Sequence, residues 1–232
     1  MNIVQSSESA HFEAGKAAEG PMAPAWKSSR AWTILLVVLV VGLFTDLLSK
    51  HWAFQGVASE PVILEYESVV NGQFQPPWHD GVRVIPGDIL DFHLVLNRGA
   101  VFGIGQGRRT VFVVFTAIAV VVAIGVFGWW TRASATVAHV AIGLILAGGL
   151  GNLYDRFSVG AVRDFFHLLP RWNLPFGWAW PGGSTEIFPW VFNVADVLLL
   201  VGMGLLLLHV HYTGREEQIA AQQKSLQDQP DS

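Results

Sequence analysis

Four stretches of this chain are apolar for about the thickness of a bilayer core, and the segments between them mix charge, glycine and proline. The first runs from Ala31 to Phe54 and is uncharged up to Thr45. The second, Thr110 to Trp130, has no charge, and the third, Ala133 to Tyr154, carries only His139. The fourth, Ile187 to Tyr212, has Asp196 as its single charge. Each approaches or exceeds the roughly 20 residues that cross a hydrocarbon core. A helix satisfies its own backbone groups there, so four helices are the predicted spanning unit. The fold class that follows is an all-α membrane protein, a four-transmembrane-helix bundle.

The connecting segments carry a second, shorter pattern. Between Ile89 and Leu96, Asp91 and His93 alternate with Phe92 and Leu94, and another apolar run covers Ala100 to Ile104. Asn97-Arg98-Gly99 interrupts them as a turn. Val159 to Leu169 also reads as strand, so a small extracytoplasmic β-sheet resting on the outer membrane surface is predicted. Glu60 to Asp88 and Pro170 to Pro189 are expected to be long loops. The chain then divides into a polar tail over 1–30, expected to be disordered and cytoplasmic, a membrane unit over 31–212, and a polar cytoplasmic tail over 213–232. No small-residue cleavage site follows the first apolar run, which is therefore read as a retained span.

Composition sharpens this picture. Of 232 residues, 52% are hydrophobic and only 14% charged, well below the roughly 25% of soluble domains. The net charge of -4 is scattered, with no basic patch for nucleic acid. Cysteine is absent, which removes disulfides, a thiol nucleophile and cysteine-ligated metal. There is no His-Glu-x-x-His, no Gly-x-Ser-x-Gly and no phosphate-binding glycine loop. Ten Trp and fifteen Phe suit a chain with much area at the membrane–water boundary.

An even number of spans leaves both termini on one side. Lys27 and Arg30 before the first span favour the cytoplasm, but the loops assigned outside hold Arg83, Arg98, Arg108, Arg109, Arg156, Arg163 and Arg171. Charge alone leaves orientation open. With the termini inside, Asp46 lies fourteen residues beyond Trp32, about 21 Å along a helix. Asp196 lies six residues past Trp190, about 9 Å in from the other boundary. Asp155 ends the third span on that same side. Ionisable groups of three spans thus converge near the outer leaflet.

Groups of this kind are costly beside lipid and point to function. Asp164 and Asp196 are candidates for acid/base chemistry on a lipid-embedded substrate, if a strand brings the first to the second. Each has a plainer reading, Asp164 as a loop carboxylate and Asp196 as a polar helix contact with Asn193. Asp46 and Lys50, four apart, share a helix face and can form a buried ion pair. The glycines of Gly148-Gly149-Leu150-Gly151 allow close helix approach, with Asp155–Arg156 as a local end pair. Asn152 follows, and its amide needs partners in lipid.

Five segments taken together carry a resemblance. Asp46-Leu-Leu-Ser-Lys50, Asn97-Arg-Gly-Ala-Val-Phe-Gly103, Gly148-Gly-Leu-Gly-Asn-Leu-Tyr-Asp-Arg156, Val162-Arg-Asp-Phe165 and Phe192-Asn-Val-Ala-Asp196 occur in this order. Over about residues 31–212 the chain resembles bacterial lipoprotein signal peptidase (signal peptidase II). The resemblance implies an aspartic endopeptidase of the cytoplasmic (inner) membrane, multi-pass, working at the outer face. Such enzymes cut prolipoproteins just before a cysteine bearing diacylglycerol, without a metal or organic cofactor. It implies Asp164 and Asp196, not Asp155, as the catalytic pair. Asn97, Gly148, Asn152, Arg156 and Asn193 would line or shape the substrate site, and Asp46 and Lys50 would support it. The implied partners are the prolipoprotein and membrane lipids, with the enzyme a monomer. Arg98 and Val101 replace smaller residues of the usual pattern, and both outer loops are long. A non-enzymatic four-helix membrane protein, such as a small transporter or assembly factor, is the rival reading. It gives Asp164 no role.

Overall fold

The computed structural model describes residues 23–99 and 109–227. Its long helices are α1 (Ser29–Gly56), α3 (Arg109–Gly125, continued by a π-helical turn Val126–Trp130), α4 (Thr136–Ser158) and α5 (Val194–Gln227). A short helix α2 (Tyr66–Val70) and strands β1 (Val82–Ile85), β2 (Leu90–Asn97), β3 (Val162–Leu168) and β4 (Val191–Phe192) complete the elements. All four long helices are apolar enough to cross a membrane. The apolar run Ala100–Ile104 and residues 1–22 lie outside the described residues. Just before α1, Ala25–Lys27 forms a turn of 3-10 helix.

α4 is the central helix. It packs against α1, α3 and α5 and is the most buried of the four, whereas α3 turns Val111, Phe115, Ile118 and Val122 outward. Such all-round apolar helices belong in lipid. The start of α1 lies beside the end of α3, where Ala25 N–H donates to Thr131 O at 2.9 Å. Arg132 meets Glu217 of α5 at the same end, 2.7 Å apart. Trp26, Trp129 and Trp130 are exposed there, as an interfacial belt requires.

The sheet lies at the opposite end, in the order β1-β2-β3-β4 and antiparallel throughout. It is fixed to α1 by Leu94 and Phe165, which pack against Ala53, Phe54, Ala58 and Val62. In register, Val95 faces Asp164 and Asn97 faces Val162, with an irregularity between Phe92 and Val95. β3 falls within its predicted strand, and β2 matches the alternating run but extends one residue further, through Asn97, which the sequence placed in the turn. β1 and α2 lie inside the segment expected to be a plain loop, which Arg98 holds down. Its Nε donates to Val69 O (3.0 Å) and its Nη2 to Phe74 O (2.6 Å).

The fourth span starts later than its apolar run. Ile187 to Phe192 is extended chain that ends as β4, and helix begins only at Val194. Pro189 lacks an N–H and biases its predecessor away from helix. Helical rise toward Asp196 therefore applies only from Val194 onward, and the six-residue helical path expected from Trp190 is not formed. Asp196 lies in the first turn.

Candidate active site

Asn193 organises the site. It precedes α5, and its Oδ1 accepts from Asp196 N–H at 3.1 Å while Asp196 Oδ2 accepts from Asn193 N–H at 3.1 Å. This is a reciprocal capping box, with Asp in place of the usual Glu. Asn193 and Asp196 thus meet across a helix start, not along a helix face. The Asn193 amide Nδ2 also donates to Asp164 Oδ1 (2.6 Å) and Asn152 Oδ1 (3.1 Å). Asp164 of β3 and Asp196 of α5 are brought onto one residue. That juxtaposition is what the separate motifs required.

A second layer lies beneath. Lys50 is fully buried, and its Nζ lies 2.8 Å from Asp46 Oδ2, 3.4 Å from Asp155 Oδ2 and 3.0 Å from Asn152 Oδ1. The predicted Asp46–Lys50 pair is present. Asp46 Oδ1 accepts from Ala195 N–H at 2.8 Å, satisfying another free donor of the α5 start. Asn152 Nδ2 then donates to Asp196 Oδ1 at 2.9 Å. One amide therefore links the buried ion cluster to the carboxylate.

Asp155 has a structural position. It does not pair with Arg156, as expected from the sequence, because successive helical residues point in different directions. Its Oδ1 accepts from Arg163 Nη2 (2.7 Å) and Nε (3.1 Å), and its Oδ2 from Arg163 N–H (2.9 Å). These bonds fix the start of β3 one residue before Asp164. The sequence alone assigns Arg163 no role, although it precedes Asp164 directly. The only signal available was a basic residue beside a carboxylate on a short strand.

Arg156 turns instead toward the incoming chain. Its Nη1 donates to Asn152 O and its Nη2 to Gly99 O, both at 3.2 Å, and it lies 5.5 Å from the Phe112 ring. The Asn97 amide acts on the Asp164 carboxyl, holding its pKa down, and Asn97 Oδ1 accepts from Gly99 N–H at 3.0 Å. Gly148 touches neither carboxylate. A Cβ there would collide with Ala195 O and come within 2.8 Å of Leu199 Cγ, so glycine lets α4 reach the α5 start. Gly151 does the same under Asp46, whose Oδ2 a Cβ would overlap. Gly151→Ala is expected to cost about 1–3 kcal/mol by overpacking, read as a lower melting temperature in detergent, because Asp46 must leave Lys50.

Electrostatics separate the two carboxylates. Asp164 is 1% exposed, whereas Asp196 is only partly buried. Burial, then the neighbouring Asp196 carboxylate, pushes the Asp164 carboxyl up to about 8, against the lowering effect of the Asn97 and Asn193 amides. The described cluster holds four carboxylates (Asp46, Asp155, Asp164, Asp196) and three cations (Lys50, Arg156, Arg163). One proton on the Asp164–Asp196 pair makes it neutral. Charge balance and burial agree.

Comparison with known proteins identifies the family. The family described as Signal peptidase (SPase) II matches residues 37–212. The chain belongs to the signal peptidase II family. Among relatives, a lipoprotein signal peptidase of Syntrophomonas wolfei is 38% identical over 189 residues, covering 82% of this chain and 97% of that protein. One from Methylorubrum extorquens is 34% identical over 178 residues, covering 74% and 82%. A solved bacterial membrane enzyme, 23% identical, superposes with a TM-score of 0.53 over 91% of this chain and 99% of its own, a likeness of fold. Within the signal peptidase II match fall all nine residues singled out above.

Proposed function

We propose that Asp164 and Asp196 are the catalytic dyad of an aspartic endopeptidase that cuts diacylglyceryl-modified prolipoproteins just before the lipidated cysteine. As a signal peptidase II the protein is a membrane protease that removes lipoprotein signal peptides. The finer reading is carried by one observation: two carboxylates from different elements meet on the Asn193 side chain and backbone. The non-enzymatic reading gives that meeting no purpose.

The chemistry follows from the geometry. Like charges held close together do not both ionise readily, so the pair shares a proton. Asp164, almost fully buried, holds it. Asp196, with both oxygens accepting hydrogen bonds and the positive end of α5 beside it, is placed to act as the base. Asp196 takes a proton from a water that attacks the scissile carbonyl. Asp164 donates to the carbonyl oxygen, and the pair later protonates the leaving amine. Arg156, with Asn97, satisfies substrate peptide groups that would cost several kcal/mol unpaired in lipid.

The substrate arrives by lateral diffusion, held by its acyl chains and signal helix. The site therefore belongs at the outer face of the cytoplasmic membrane, with the sheet on the outer surface, both termini inside and a monomer sufficient. Residues 31–212 then form the membrane peptidase unit between two cytoplasmic tails.

The test is incubation of the purified protein with a diacylglyceryl prolipoprotein and its unlipidated form. Mass spectrometry is expected to find a product beginning at the lipidated cysteine from the first alone. Equal cleavage of both would remove lipid recognition from this reading.

The pH dependence has a defined sign. Asp164 must be protonated to donate, so kcat/KM should fall as pH rises through about 8. Asn97→Ala removes an amide whose effect lowers the Asp164 pKa. The rate should drop and the alkaline limb should move to higher pH. A limb that stays in place would show that Asp164 does not supply it.

A further inference from the structure

The dyad leaves one conspicuous segment unused, the insertion between β3 and β4. From Asn173 to Thr185 it contains thirteen residues and no charge, with Leu174, Phe176, Trp178 and Trp180 among its apolar side chains. Charge collects at its base instead. Arg171 N–H donates to Glu186 Oε1 at 3.2 Å, and the Arg171 guanidinium pairs with Asp88 and with Asp91.

The segment is built as a finger. Leu174 N–H donates to Thr185 O (2.7 Å), Trp180 N–H to Ser184 O (2.9 Å) and Ile187 N–H to Trp172 O (2.6 Å). Trp180 Nε1 adds a bond to Glu186 O at 2.9 Å. At the tip, Pro175-Phe176-Gly177 turns with Phe176 at φ 61°, a left-handed conformation unusual for a bulky residue. That turn leaves Phe176 90% and Trp178 65% exposed, their rings 6.0 Å apart.

A rigid, charge-free aromatic tip on a charged base is poorly suited to water. Exposed apolar patches of this kind mark interaction surfaces. The occupant is indicated by where the finger joins the bundle. Trp180 packs edge-on to Trp190 at 4.8 Å, and Trp190 lies three residues before the Asn193 cap of α5. The aromatic surface therefore continues from the mouth of a membrane-spanning helix. Trp52 of α1 is exposed toward the same end. Trp and Phe settle at the level where headgroups meet acyl chains.

We infer that the 173–185 finger inserts Phe176 and Trp178 into the headgroup–acyl boundary of the bilayer beside the dyad, holding the sheet against the membrane from which substrate arrives. The inference rests on the proposed function for that last purpose only, since the insertion itself requires just the membrane-spanning bundle.

The chain has no cysteine, so Phe176→Cys supplies a single thiol for an environment-sensitive NBD label. The protein is placed in phosphatidylcholine/phosphatidylglycerol vesicles, with Glu216→Cys, exposed near the end of α5, as the aqueous reference. The expected result is blue-shifted emission and stronger quenching by lipids bearing a nitroxide near the top of the acyl chain than at position 216. Trp178→Cys should behave likewise. Emission like that of the reference, with free access for iodide, overturns the proposal. So does protection from iodide without acyl-nitroxide quenching, which would place the finger over protein or substrate. Repeating the measurement with Asp164→Asn separates the two claims, because probe depth should persist whatever happens to cleavage.

Discussion

Lys50→Met is expected to produce the largest loss of stability of any single change in this protein. The ammonium is fully buried and is shared between Asp46 and Asp155, with Asn152 Oδ1 as a third acceptor. Methionine fills much of the volume but leaves two buried carboxylates facing an apolar side chain. Removing one partner of a buried pair costs about 3–5 kcal/mol, since the remaining charge is uncompensated. Asp155 keeps Arg163, so Asp46 suffers most. Its Oδ1 bond to Ala195 N–H ties α1 to the start of α5, and the loss should therefore reach the capping box. The checks are the melting temperature in detergent and resistance to trypsin. Adding Asp46→Asn should recover part of the loss, because both members of the closest pair are then neutral. Additive losses in the double variant would show that the pair is not coupled.

Asp164→Asn and Asp196→Asn should have the largest effects on activity, each lowering cleavage by about 10²- to 10⁴-fold through loss of acid/base catalysis. Their effects on folding should differ. At position 164 an amide oxygen can still accept from Asn193 Nδ2, and the unfavourable proximity of two carboxylates is gone. That variant should melt at or above the parent temperature. At position 196 both oxygens accept from N–H donors, so an amide nitrogen must face one of them. A lost hydrogen bond of that kind costs about 1 kcal/mol. A modest fall in melting temperature is expected there, too small to account for the missing activity.

The spans were legible because length and lack of charge are sufficient evidence for a membrane helix. Their ends were less so. Ile187 to Phe192 is as apolar as the helix after it, and only Pro189 and the Asn193-x-x-Asp196 spacing mark the boundary. β4 is two residues long and is defined by pairing with Phe166 and His167, which no local pattern encodes. β1 and α2 were hidden in a segment whose order depends on distant Arg98.

The candidate site was legible in a different way. Asp46 and Lys50 declared themselves by spacing. Asp164, on a short strand, could be matched to Asp196 only through the family resemblance, because their meeting depends on β3 register and on one asparagine side chain. Asp155 ends the third span among the same polar residues. Its oxygens are occupied by Lys50 and Arg163, contacts made across 105 and 8 residues of sequence.

The central claim is that Asp164 and Asp196 act as one unit. It is tested most directly by single-turnover cleavage of one diacylglyceryl prolipoprotein by the parent, Asp164→Asn, Asp196→Asn and the double variant. Groups that share a proton fail together, so the double variant should be no slower than either single one. Losses that multiply in the double variant, or full cleavage by either single one, would contradict the account.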